Sequence, residues 1–484
     1  MLLDGDAPTP SVRTRSDTDL STRIPVHVVW EITLSCNLKC AHCGSRAGKP
    51  RADELSTTEC LDVVEQLRVL GTREINLIGG EAYLRRDWLE ILAAISAGGM
   101  RSGLQTGARA LSREKIAAAK AAGLNAAGVS VDGLREIHDR LRGVPGSYEQ
   151  CLRVIADMAA EGIKPSANTQ INRESMHAIR PLYEVLRDAG IKVWQLQLTV
   201  PCGNAADNEA LILQPHEIPP LYDEIARIFE DAKRDGVHIF AGNNVGYFGP
   251  HEHLWRSLTD VPEAWSGCQA AETAIGIEAD GVIKGCPSLD KYNYAGGNVR
   301  DRPIAEIWRD MADTVSRRVR PPRWGLCGTC YYGEQCGAGC TWTAGSVSEK
   351  PGNNPFCDYR ARTLAKHGLR ERLVRSAPAP GIPFDFASWA LRVETVDGAI
   401  AEAPAQLGPP APPRETRGEL VLCPGCRQFA YEGEACPFCG DSLAEMPPPP
   451  LSVTLHSITQ AIEETARINA ACRDDLARLQ VAAP

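Results

Sequence analysis

Three thiols fall within eight residues at Cys36, Cys40 and Cys43. Thiolates are metal ligands, and a four-iron cluster takes one sulfur per iron. Three cysteines therefore leave one iron open to another ligand. A structural zinc wants a fourth donor nearby, and His42 offers one from between two of the cysteines. On spacing alone both metals stay open. Seven more cysteines follow at Cys268, Cys286, Cys327, Cys330, Cys336, Cys340 and Cys357. Two Cys-x2-Cys pairs, Cys423 with Cys426 and Cys436 with Cys439, complete the series with nine residues between them. That last spacing is a zinc-ribbon signature. A unit of about 28 residues has no hydrophobic core of its own, so metal supplies its folding energy. Rubredoxin-type iron would use the same four ligands. Of the eighteen cysteines, Cys60, Cys151, Cys202 and Cys472 remain. Cys60 and Cys151 fall in helical stretches and read as buried apolar residues. Cys202 follows a strand, where a core residue is the better reading and a functional thiol the alternative.

The elements that must position these groups are legible as an alternation. Short β-rich runs occur at Val26–Ile32, Glu74–Ile78, Gly103–Thr106, Ala127–Val131, Pro165–Ile171 and Val193–Leu198. Helical spacing fills Ser56–Leu70, Asp87–Gly98, Ser112–Ala122, Ser147–Glu161 and Met176–Ala189. Ser56 with Glu59, and Ser147 with Gln150, predict capping boxes, and Gly71, Gly123, Gly162 and Gly190 predict helix stops. Six strand–helix units make an α/β fold, a partial (β/α)6 TIM-type barrel with a parallel sheet. Chemistry in such folds sits on loops after the strand C-terminal ends. Cys36 follows the first strand, Gly79-Gly80-Glu81 the second, and Thr106-Gly107-Ala108 the third. Ser130 ends the fourth, with Arg142 a few residues on. Asn168, Thr169 and Asn172 end the fifth, and Gln195 and Gln197 lie in the sixth, as substrate-facing groups or interior polar contacts.

The Cys36/Cys40/Cys43 loop, with Gly79-Gly80-Glu81 after the next strand, resembles the radical S-adenosylmethionine (SAM) superfamily. The resemblance implies a four-iron cluster on the three cysteines, SAM on the open iron, and reductive cleavage to a 5′-deoxyadenosyl radical. It implies that Gly79, Gly80 and Glu81 hold the SAM amino group and that Ser130 and Arg142 meet its ribose and carboxylate. Thr106-Gly107-Ala108 departs from the Thr-Asn-Gly of many relatives and receives no role. The seven later cysteines resemble the SPASM domain of peptide-modifying radical SAM enzymes, at all seven positions. By that resemblance Cys268, Cys286 and Cys340 hold one auxiliary iron–sulfur cluster, and Cys327, Cys330, Cys336 and Cys357 a second. The first lacks a fourth cysteine, since none lies between Trp255 and Gly267. His251, His253, Asp290 or an open iron would complete it.

These readings divide the chain into an arm (1–24), a radical SAM core (25–225), a connecting segment (226–262) and a SPASM domain (263–365). A Pro/Ala-rich linker (366–417), a zinc ribbon (418–445) and a C-terminal helix (446–484) with a weak heptad pattern follow. Phe384–Val396 in the linker has the pattern to pack back on the main body. At 484 residues, about three domains are expected. A net charge of −9 offers no basic surface for bulk nucleic acid. No apolar run is long enough to span a membrane, and no signal-type stretch opens the chain, so a cytoplasmic protein is expected. The function implied is a maturase that abstracts hydrogen from a ribosomally made precursor peptide, leaving a crosslink, thioether, epimer or oxidation. For epimerisation Cys202 is the only evident hydrogen donor. A flavodoxin or ferredoxin would supply electrons. Only 35 residues precede Cys36, too few for a winged-helix leader-binding module, so a separate leader-binding protein is a candidate partner. The alternatives are a small-molecule radical SAM dehydrogenase and an anaerobic sulfatase-type formylglycine maturase, the latter disfavoured because Pro287 stands where such relatives carry Asp. A metal-cluster scaffold or zinc regulator is the non-enzyme alternative.

Overall fold

The computed structural model describes residues 23–257, 262–348 and 350–443. Most of the expected arm, the expected C-terminal helix and Cys472 lie outside the described residues. All six expected strands form: β1 His27–Glu31, β2 Glu74–Ile78, β3 Arg101–Thr106, β4 Ala126–Ser130, β5 Lys164–Ile171 and β6 Val193–Leu198. They pair in parallel in sequence order. Period-two patterning decides their faces. In β5 and β6, Ala167, Thr169, Ile171, Trp194, Leu196 and Leu198 are buried, while Asn168, Gln170, Gln195 and Gln197 on the other face are only half-buried. The sheet is longer than expected. β7, His238–Ala241, pairs in parallel with β6 inside the expected connecting segment.

The helices are α1 Thr57–Val69, α2 Trp88–Ala97, α3 Arg113–Ala121, α4 Arg135–Arg142, α5 Ser147–Ala160, α6 Ile179–Asp188 and α7 Ile218–Asp235. The Ser56–Glu59 capping box forms in both directions. The expected box at Ser147 does not, because Gly146 is the N-cap and Ser147 is buried. Asp139 of α4 replaces it, accepting from the amides of Gly146 (2.7 Å) and Tyr148 (2.8 Å). Gly71, Gly123, Gly162 and Gly190 take the left-handed conformation expected of helix stops.

The cysteine-rich lobe is built onto the barrel's edge. β8 (Ala274–Ile277) pairs in parallel with β1, and β9 (Val282–Lys284) and β10 (Ala295–Asn298) extend the sheet antiparallel to ten strands. Helices α8 (Ile304–Met311) and α9 (Asp358–Lys366) flank this lobe. The first half of the expected linker is structured, and Phe384–Val396 packs back on the main body. Leu369–Ala377 (β11) and Ser388–Thr395 (β12) form an antiparallel hairpin, and Leu373, Ala387 and Trp389 are buried in the main core. Their alternating apolar residues bury one face, which a Pro/Ala count does not register. The ribbon carries its own short pair, β13 (Leu420–Leu422) and β14 (Phe429–Tyr431).

Candidate functional site

The loop after β1 brings Cys36, Cys40 and Cys43 close enough that their thiolates repel one another. Burial holds the Cys36 thiol up at about 12, a cost that a bound cation removes by taking the thiolate as ligand. Each sulfur already has a donor: Leu38 N–H to Cys36 (3.4 Å), Ala47 N–H to Cys43 (3.4 Å) and the Arg142 guanidinium to Cys40 (3.6 Å). The loop is fixed from three sides. Arg46 donates to Asn204 (3.0 Å), the Gly203 carbonyl (2.9 Å) and Asp385 (3.0 Å). Phe384 N–H, between β11 and β12, reaches the Gly44 carbonyl at 2.9 Å. Neither Arg46 nor Asp385 carries a local sequence signal.

Gly79 and Gly80 are required by backbone approach. A Cβ on either would stand 2.2 Å from the carbonyl oxygen of Thr33 or Ser35. In their place the Gly80 and Glu81 amides donate to those carbonyls at 2.8 Å, locking the loop after β2 to the cluster loop. Glu81 is 1% exposed. Its carboxylate accepts from Thr106 Oγ1 (2.5 Å) and Gly107 N–H (2.6 Å), which gives the unassigned Thr106-Gly107 segment a role. Burial raises its pKa to about 7. Behind it, Arg142 pairs with the fully buried Asp132 at 2.5 Å, and His42 Nε2 meets the same carboxylate at 3.1 Å. Asp132 is held below its ordinary range by Arg142 and His42, despite its burial. His42 thus engages the buried Arg142–Asp132 pair through Nε2, while its buried Nδ1 has no protein partner. Ser130 sits half-buried at the end of β4, its carbonyl accepting from Cys151 Sγ.

The other sequence candidates separate. Asn168 donates to Gln105. Thr169 faces the helices, donating to the Val131 carbonyl (2.6 Å) and accepting from Trp194 (2.9 Å). Asn172 is buried and caps the following turn through Glu174 and Ser175. Cys202 is 1% exposed, with burial pushing its thiol up to about 12 beside Trp342 and Asp385. Cys60 and Cys151 are buried as expected.

In the second lobe Cys268, Cys286 and Cys340 converge. Burial and the neighbouring Cys268 and Cys286 push Cys340 up to about 12. His251 is engaged by Asp223 (2.8 Å) and His253 by Arg427 (2.9 Å), whereas Asp290 caps the turn at Asn293. That turn brings Tyr294 beside both Asp290 and Cys268. Sequence reasoning missed it. Cys327, Cys330, Cys336 and Cys357 line one shared cavity, together with Arg360 and Asn354. A buried Asn354 Nδ2 without a protein partner and four converging thiols fit a sulfur-ligated anionic cluster. In the ribbon all four cysteine sulfurs lie within 4.8 Å of one another, with Cys423–Cys439 at 3.5 Å and Cys426–Cys436 at 3.7 Å. A tetrahedral ion bound about 2.3 Å from each sulfur sets them about 3.8 Å apart, so the site fits zinc or a single iron. Phe438, between two of these ligands, packs on Tyr331, Tyr332 and Tyr359 of the cysteine-rich lobe.

A parallel half-barrel with three thiols at its mouth, followed by a lobe holding two further cysteine sets, fits an iron–sulfur enzyme. The family model of the radical SAM superfamily matches residues 30–173, and that of the SPASM iron–sulfur cluster-binding domain matches residues 268–331. The AdoMet-dependent heme synthase of Nitratidesulfovibrio vulgaris is 28% identical over 70% of this chain and 93% of its own. The Fe-coproporphyrin III synthase of Methanosarcina barkeri is 30% identical over 60% and 74%, respectively. The mycofactocin maturase of Mycobacterium ulcerans is 26% identical over 73% and 94%. In fold, the chain is similar to Streptococcus suis SuiB bound to SAM, with a TM-score of 0.55 at 16% identity, covering 69% of this chain and 76% of that one. It is likewise similar to anSMEcpe with bound AdoMet, at 0.55 and 14%, covering 68% and 93%. The protein belongs to the radical SAM superfamily, with a SPASM domain. Its cofactors are SAM and a 4Fe-4S cluster. No helix among the described residues is long and apolar enough to cross a membrane.

Proposed function

We propose that this enzyme is a maturase that abstracts hydrogen from a ribosomally made precursor peptide and installs a crosslink, thioether, epimer or oxidation. Bound at Cys36, Cys40 and Cys43, the cluster and SAM supply a 5′-deoxyadenosyl radical. In this reading Glu81, Gly79 and Gly80 meet the SAM amino group, and Ser130 and Arg142 its ribose and carboxylate. Arg142 also balances the charge on Cys40. Cys268, Cys286 and Cys340 hold one auxiliary cluster, Cys327, Cys330, Cys336 and Cys357 the other, and the ribbon cysteines hold zinc. The observation that carries the reading is the pair of auxiliary cysteine sets on a lobe sharing the barrel's own sheet. They provide a route for the electron left on a substrate after hydrogen loss. A solved SuiB structure with its precursor peptide SuiA has the same fold. A flavodoxin or ferredoxin in the cytoplasm is the electron source in this scheme, and a separate leader-binding protein a candidate partner.

A second reading, a small-molecule substrate of tetrapyrrole type, is favoured by the heme synthase match over 93% of that relative. Anaerobic reconstitution with iron, sulfide and zinc counting comes before any substrate assay. Deuterium transfer into 5′-deoxyadenosine is then measured with labelled peptides and labelled iron porphyrins. Transfer from a peptide supports the maturase. Transfer from a porphyrin alone selects the second reading. Fully loaded protein that never cleaves SAM refutes both.

A further inference from the structure

The cavity of Cys327, Cys330, Cys336 and Cys357 contains a buried cation. Arg360, on α9, is 1% exposed. Its Nη1 donates to Cys327 Sγ (3.5 Å), Asn353 Oδ1 (2.6 Å) and the Asn354 carbonyl (3.2 Å). Its Nε and Nη2 donate to the two oxygens of Glu371 at 2.7 and 2.5 Å. Glu371 lies on β11, so a strand beyond the cysteine-rich lobe fixes the guanidinium. Both partners of this pair are 2% exposed in their side chains. A bidentate fork of this kind sets direction as well as charge. One end holds the carboxylate and the other meets a thiol.

We propose that Arg360, oriented by Glu371, is a positioning residue that sets the reduction potential of the auxiliary cluster held by those four cysteines. The inference rests on reading them as a cluster site. When that cluster takes up one electron from the substrate radical, the buried site gains one negative charge. A cation hydrogen-bonded to a ligand sulfur favours the reduced state, and the low local dielectric enlarges the effect. Glu371 opposes it from farther away. The two substitutions therefore act with opposite sign: Arg360→Gln lowers the potential and Glu371→Gln raises it.

The test is an EPR-monitored potentiometric titration of the full-length, anaerobically reconstituted enzyme, with iron and sulfide counted in each sample. Arg360→Gln is expected to shift the auxiliary midpoint downward, Arg360→Lys to fall between it and wild type, and Glu371→Gln to shift it upward. An unshifted midpoint in Arg360→Gln at full iron content overturns the proposal. So do shifts of the same sign in Arg360→Gln and Glu371→Gln. If Arg360→Gln fails to hold iron, Arg360→Lys and Glu371→Gln still decide by their signs. A Cys327→Ala/Cys330→Ala variant is expected to lose the signal being titrated. Its persistence there would refute the cluster assignment, a result separate from the role of Arg360.

Discussion

Glu81 ties the loop after β2 to the loop after β3 through a carboxylate sealed from solvent, and this has a measurable cost. Burial raises its pKa from 4.5 to about 7 even with Thr106 and Gly107 donating to it. Between those two values the folded chain binds a proton that the unfolded chain has released. Stability therefore falls as pH rises through that window and levels off above about 7. At about 1.36 kcal/mol per pKa unit, the shift amounts to about 3 kcal/mol. Glu81→Gln removes this titration and keeps the shape. The assay is urea denaturation of the SAM-free protein from pH 4.5 to 8, with the variant subtracted from wild type so that other carboxyl groups cancel. Glu81→Gln should gain about 3 kcal/mol on wild type across that range. In the proposed reading SAM brings an ammonium to the ionised Glu81 carboxylate, so in wild type its binding should tighten as pH rises toward 7, and in Glu81→Gln it should be weaker and flat. Parallel stability profiles for the two proteins would refute the reasoning.

Gly80→Ala puts a Cβ 2.2 Å from the Ser35 carbonyl and 2.7 Å from Cys36 Cβ. It should lose about four irons and SAM cleavage while keeping the rest of the iron, by elemental analysis. Asp132→Asn leaves Arg142 buried without its counter-ion, at a cost of about 3–5 kcal/mol, and calorimetry should show a lower melting temperature. Phe438→Ala removes the ring that joins the ribbon to Tyr331, Tyr332 and Tyr359, with each pair worth about 0.5–1.5 kcal/mol. Limited proteolysis should then cut faster around residues 396–420 while the metal proposed for the ribbon cysteines is retained. Chelation of the proposed ribbon metal should produce the same cleavage.

Much of this molecule was legible before any coordinate. Strands declared themselves as short β-rich runs ending in Gly, Ser, Thr or Asn and alternating with stretches of helical spacing. The Cys36/Cys40/Cys43 group and the two Cys-x2-Cys pairs declared themselves by spacing on short loops, whereas the seven cysteines between them were legible only through a family resemblance. Reading failed where the signal was diffuse. β7 has four residues, HIFA, and no flanking pattern. Of the β11–β12 hairpin, the second strand falls in Phe384–Val396, whose pattern predicts packing on the main body, but the first was hidden in a stretch divided off as linker. The Ser147 capping box looked correct locally but lost to Asp139, whose carboxylate α4 brings to the same amides.

The sequence by itself determined the groups of closely spaced cysteines, the parallel α/β core and, through family resemblance, the class of chemistry, since these rest on residue types and intervals along one chain. Only the tertiary structure decided what surrounds each ligand. Arg142 meets Cys40 across 102 residues, Asp385 anchors the cluster loop through Arg46 across 339, and Phe429 of the ribbon meets Tyr332 across 97. Lone arginines, aspartates and aromatics have no spacing rule. Their partners are chosen by burial, which obliges every enclosed charge and hydrogen-bonding group to find a match wherever the fold brings one within reach.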